Sequence, residues 1–102
     1  MIEPLPMLRV IRKEMGKTQD WLAEQVGMTK ASISRIEKGD QNWDAAFLRA
    51  AARALSVDSA DLLKRRTPQE TAVMLAMRGL GPKGQQAAVD MVRALERSGT
   101  DS

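Results

Sequence analysis

With 102 residues, 43% of them hydrophobic and 28% charged, the chain is sized for one folded domain, or one domain with an appendage, and its composition excludes a wholly disordered protein. The absence of cysteine and histidine excludes disulfides and thiolate metal sites, leaves little from which to build an enzyme's site, and gives no sign of an oxidising compartment. The net charge of +3 and the pI near 9.7 permit a polyanionic partner without demanding one, while 3% aromatic residues and no tyrosine argue against stacking platforms for single strands.

Taken in order, the chain reads as a succession of short helices. Pro4 and Pro6 suit a helix start, with Pro6 as the first helical residue. Leu8, Ile11 and Met15 recur at i, i+3 and i+7 and give helix 1 one buried face, ended by Gly16. Thr18 is placed to cap helix 2, because its hydroxyl can accept a backbone N–H that has no partner inside the helix. Leu22 and Val26 mark that helix's buried stripe, and Gly27 permits the left-handed turn that ends it. Thr29 is a second cap, and helix 3 is expected over Lys30 to Lys38 with only Ile33 and Ile36 large and apolar, before Gly39 stops it. A helix so short buries one narrow edge and exposes short, polar and basic side chains around the rest.

Asp40, Gln41 and Asn42 form a polar loop, and Asp44 is the expected cap of helix 4, which runs to about Leu55 with Phe47, Leu48, Ala51 and Leu55 inward. Trp43 and Leu48 have the spacing of a hydrophobic staple, the alternative for Trp43 being an exposed partner contact. Asp58 and Asp61 resemble a capping box at the start of a short helix 5 bearing Leu62 and Leu63. The basic run Lys64, Arg65 and Arg66 is either a solvated linker or a phosphate contact. Thr67, Pro68 and Glu70 then make a strong helix start. Helix 6 is expected to present Ala72, Val73, Ala76, Met77 and Leu80 on one apolar face, and helix 7, opened near Pro82, to present Ala88, Met91, Val92 and Leu95. The stretch GLGPKG from Gly79 to Gly84 matches a dinucleotide fingerprint only in letters. That motif needs a preceding strand to deliver its glycine turn to a pyrophosphate, and here the preceding segment is helical. Residues 98–102 read as a polar tail.

The region from Leu8 to Leu63 resembles the lambda-repressor-like, or xenobiotic-response-element, Cro-type family of helix-turn-helix DNA-binding domains. The resemblance rests on Leu8, Arg12, Gly16, Thr18, Gln19, Leu22, Ala23, Val26, Gly27, the run Ser32 to Glu37, Gly39, Leu48, Ala51, Leu55, Val57, Leu62 and Leu63, many positions at fixed spacing. Two residues depart from the family pattern: Trp21, where an acidic residue is usual, and Trp43, where proline is common. The resemblance implies an all-α fold and a five-helix DNA-binding domain over residues 1–66; beyond it the apolar spacing of the chain itself gives a two-helix hairpin over 67–98 and a tail over 99–102. The resemblance implies a structural ion pair between Arg12 and Glu37, which are otherwise two solvated charges. It also implies a phosphate contact for Gln19, and a face toward the major groove of double-stranded DNA made by Thr29, Lys30, Ala31, Ser34 and Arg35. Arg35 is the expected guanine reader; Lys30 suits a base or a phosphate, Ala31 or the Thr29 methyl a thymine methyl, Ser32 a phosphate, and Gln41 a base or the backbone.

The hairpin lies outside the resemblance. It either folds back on helix 5 or pairs with a second copy through Val73, Met77, Leu80, Ala88, Met91, Val92 and Leu95. A homodimer makes sense on DNA, because two recognition helices roughly 34 Å apart read successive turns of one face. The expected function is a non-enzymatic transcription regulator, a repressor on a (pseudo)palindromic operator or else an activator. A protein-interaction module of the same fold, an antitoxin or adaptor, is the other class, against which Lys30 and Arg35 speak. No cofactor, nucleotide or membrane partner is expected, and with no long apolar run or signal-peptide pattern the cytoplasm, beside the nucleoid, is the expected location.

Overall fold

The computed structural model describes residues 4–99, apart from the side chains of residues 83–85, 87, 88, 98 and 99. All regular structure among the described residues is helical: α1 Leu8–Glu14, α2 Gln19–Val26, α3 Lys30–Lys38, α4 Ala45–Ala54, α5 Ser59–Leu63, α6 Pro68–Met77 and α7 Gly81–Gly99. The chain divides into two compact units, Met1–Arg66 and Thr67–Ser102.

In the first unit α2 packs on α3 and on α4, and α4 packs on α5. Leu8, Ile11, Leu22, Ile33, Leu55 and Leu62 lose all contact with solvent and form its centre, joined by Leu5, Met7, Ala23, Ile36, Phe47, Ala51 and Ala52. Helix α1 starts two residues later than expected. Pro6 sits inside a turn closed by the Leu8 N–H on the Leu5 carbonyl (3.3 Å), and the Met7 N–H reaches the Leu62 carbonyl (3.2 Å). That turn buries Leu5 and Met7, and so enlarges the core beyond the stripe that helical spacing reveals. Met15 and Val26 are only half-buried; Arg12 and Ala23 take the remaining inward places.

The helix boundaries follow local chemistry. The Trp21 N–H donates to Thr18 Oγ1 (3.0 Å), the Ser32 N–H to Thr29 Oγ1 (3.1 Å) and the Phe47 N–H to Asp44 Oδ1 (2.8 Å). At the other ends the chain wraps back. The Met28 N–H reaches the Ala23 carbonyl (2.9 Å) past Gly27 at φ +71°, and the Asp40 N–H reaches the Arg35 carbonyl (2.8 Å) past Gly39 at φ +83°. Helix α4 closes in the same way, with Val57 N–H to the Ala52 carbonyl (3.0 Å), but its left-handed residue is Ser56 at φ +59°. Asp61 accepts the Asp58 N–H through one carboxylate oxygen (2.9 Å) and Arg66 Nη2 through the other (3.0 Å). Arg66 is therefore tied to α5, rather than a freely solvated part of the basic run.

In the second unit α6 packs on α7 as a hairpin. Thr67 and Glu70 form the reciprocal capping box, with Glu70 N–H to Thr67 Oγ1 (3.1 Å) and Thr67 N–H to Glu70 Oε1 (3.2 Å). The buried residues of α6 are Thr71 and Leu75, while of its expected apolar face Val73 and Met77 are exposed and Ala76 and Leu80 half-buried, so that face is left largely outward. The cause is plain in the sequence: residues 72–77 are apolar without a break, so no period selects a side. The Thr71 hydroxyl tolerates burial because it donates to the Thr67 carbonyl (3.0 Å). Helix α7 begins at Gly81, one residue before Pro82, and continues through Gly99, so residues 98 and 99 are helical where a tail was expected. Residues 100–102 of that tail lie outside the described residues, as does the side chain of Ala88.

Candidate nucleic-acid interface

The sequence folds α3 so that one edge is sealed and the rest is offered. Ile33 and Ile36 are buried, and Thr29, Lys30, Ala31 and Arg35 are exposed. Of the eight residues expected at DNA, seven fall into two clusters on either side of this short helix, and Ala31 is exposed apart from both.

The first cluster lies under an open hollow of about 580 Å³ between α1, α2 and α3. At its base Arg12 and Glu37 form a two-pronged ion pair, Nε to Oε2 at 2.7 Å and Nη2 to Oε1 at 3.0 Å. Their side chains are 6% and 1% exposed, so both charges are withdrawn from water and must be satisfied inside. The remaining Arg12 nitrogen, Nη1, donates to the Lys17 carbonyl (2.7 Å), and Gln19 Nε2 donates to Glu37 Oε1 (3.0 Å). Arg12 thus joins α1 to α3, and Glu37 holds the first side chain of α2. Ser34 and Lys30 also line the hollow. Lys30 Nζ lies 3.6 Å from Asp20 Oδ2, but both are well exposed, so the pair holds Lys30 only loosely.

The second cluster runs along the outer ridge of α3. Thr29 Oγ1 donates to Ser32 Oγ (3.1 Å), Arg35 Nη2 makes a long contact with the same Ser32 oxygen (3.4 Å), and Arg35 Nε donates to Gln41 Oε1 (2.8 Å). Gln41 lies beyond the end of α3 and reaches Arg35 because the turn at Gly39 folds the chain back.

Sequence reasoning missed four cations around the hollow: Arg9, Lys13, Lys17 and Lys38. The signal was present, since Arg9, Lys13 and Lys17 recur every four residues along one side of α1 and its end. Lys17 Nζ also lies 4.9 Å from the centre of the Trp21 ring, which gives the unusual Trp21 a cationic neighbour. The positive excess belongs wholly to this unit. Residues 1–66 hold twelve Lys and Arg against nine Asp and Glu, and residues 67–102 hold four of each, which accounts for the net +3.

In the second unit Val73, Met77, Val89, Met91, Val92 and Leu95 are exposed apolar side chains, all but Val89 among those expected at a subunit contact. Among the described residues no helix is long and apolar enough to cross a membrane.

An all-helical unit with two capped helices around a glycine turn, and a second helix with a polar outer face, defines a helix-turn-helix domain. Comparison agrees: residues 7–65 match the model of a helix-turn-helix domain family, and the chain belongs to that family. It is also similar to an uncharacterized HTH-type transcriptional regulator of Methanothermobacter thermautotrophicus, 43% identical over 49 residues that cover 48% of this chain and 71% of the relative. No solved structure matches the chain at a significant level.

Proposed function

We propose that this protein is a sequence-specific, double-stranded-DNA-binding transcription regulator that acts as a homodimer, represses from a (pseudo)palindromic operator and works in the cytoplasm at the nucleoid. The observation that carries the reading is the outer face of α3, where Thr29, Lys30, Ala31 and Arg35 are exposed around a sealed isoleucine edge. A helix of this kind fits the major groove, where base edges present hydrogen-bonding groups. The two clusters divide the work. The ridge of Thr29, Ser32 and Arg35 faces the bases, with Arg35 on guanine O6 and N7 and Gln41 beside Arg35. The hollow faces the backbone, with Gln19, Ser34 and Lys30 and the flanking lysines on phosphates. Gln19 is the first residue of α2, so a phosphate beside it also meets free backbone N–H groups.

One α3 reads few base pairs, and the exposed apolar side chains of α6 and α7 supply what a second copy would cover. A dimer so formed reads two half-sites and blocks a promoter that contains them. The related regulator's name supports the regulatory role. Selection of bound fragments from random duplex DNA tests the proposal and should return two inverted half-sites. On that DNA, Arg35→Ala should cost about 1–3 kcal/mol per half-site and flatten the preference at one base pair. Gln19→Ala should weaken all sequences alike. Recovery of no preferred sequence, or an Arg35→Ala variant with unchanged preference, would contradict it.

A further inference from the structure

Given the proposed docking of α3 on DNA, we infer that Gln41 is a positioning residue for Arg35, fixing which edge of the guanidinium reads the base. A guanidinium can offer two parallel N–H groups from either of two edges, the side formed by Nε and Nη2 or the end formed by Nη1 and Nη2. In this protein the side is occupied. Nε donates to Gln41 Oε1 at 2.8 Å, and Nη2 has Ser32 Oγ at 3.4 Å. The end remains for guanine O6 and N7, which accept two parallel hydrogen bonds.

The backbone explains why Gln41 can act in this way. It lies six residues after Arg35, too far for a neighbour along a helix. The left-handed Gly39 and the bond from the Asp40 N–H to the Arg35 carbonyl turn the chain so that residue 41 comes back beside the last turn of α3. Gln41 is half-buried while Arg35 is exposed, so of the two side chains Gln41 has the less open surroundings. An arginine held before contact loses less side-chain freedom on binding and cannot swing to a neighbouring base.

A double-variant cycle on DNA selected by the unaltered protein, and on the same DNA with each base pair changed in turn, tests the inference. Gln41→Ala should weaken binding about 5- to 10-fold and flatten preference at the same base pair that Arg35→Ala flattens. In the Arg35→Ala background it should change affinity by less than about twofold. Gln41→Glu, which keeps an acceptor for Nε, should retain the preference at that base pair. An equal loss from Gln41→Ala in both backgrounds, or a flattened preference at a different base pair, would show that Gln41 touches DNA itself and would overturn the inference. Unchanged preference in Arg35→Ala alone would remove the docking on which the inference rests, and both would fall together.

Discussion

Glu37 accepts three hydrogen bonds through two carboxylate oxygens, two from Arg12 and one from Gln19, at 1% side-chain exposure. Removing either charge leaves the other buried without a counterpart. Glu37→Ala or Arg12→Ala should therefore cost about 3–5 kcal/mol in a denaturant titration, far more than an exposed pair would. The joint replacement Arg12→Met with Glu37→Met should recover most of that stability. It should still bind DNA more weakly, because Gln19 then has no acceptor to hold it for the proposed phosphate contact. Recovery of stability and affinity together would assign the pair a purely structural role. The residues of this pair were legible because both sit at positions of a long spaced pattern. The contacts of Arg35 with Gln41 and of Arg66 with Asp61 were not: each depends on where a turn sends the chain, which no periodicity records.

At the scale of the element, ends were more legible than faces. Capping threonines and the Asp44 cap act through side-chain oxygens on backbone N–H groups three residues on, and the glycines at positions 27 and 39 act through their own backbones, so their chemistry is local and a sequence displays it. The inward side of α6 depends on a neighbour. An unbroken apolar run gave no period to choose by, and a threonine with a satisfied hydroxyl took an inside place. The start of α1 was misplaced because Pro6 suits the first turn of a helix and the second position of a tight turn equally well. Ser56 is the exception among the helix ends. At φ +59° its Cβ crowds the backbone in a way glycine avoids, and the residue is exposed. Ser56→Gly should raise stability by about 1 kcal/mol, seen as a higher denaturant midpoint with an unchanged slope. A lower midpoint would mean that the serine side chain contributes something its backbone angle hides.

For the whole molecule, two properties are separated along the chain. The first unit holds all of the net positive charge, and among the described residues the second holds the large exposed apolar side chains, apart from Leu63. Charge should govern affinity: log Kobs should fall linearly with log salt, with a slope near −0.9 for each phosphate neutralised. Apolar surface should govern assembly. Leu95→Glu, at a position 66% exposed in the single chain, should leave the fold intact and convert a dimer to a monomer in light scattering. The same variant should lose affinity for paired half-sites but keep its affinity for one. A Leu95→Glu protein that remains dimeric would place the subunit contact elsewhere.

The claim on which these expectations depend is that α3 enters the groove by its outer side. Backbone amide shifts, followed by NMR as the selected duplex is added, test it directly. The account predicts the largest changes from Thr29 to Gln41 and at the start of α2, with residues 44–63 little moved. Changes concentrated on α4 and α5, with Lys30 to Arg35 silent, would contradict it.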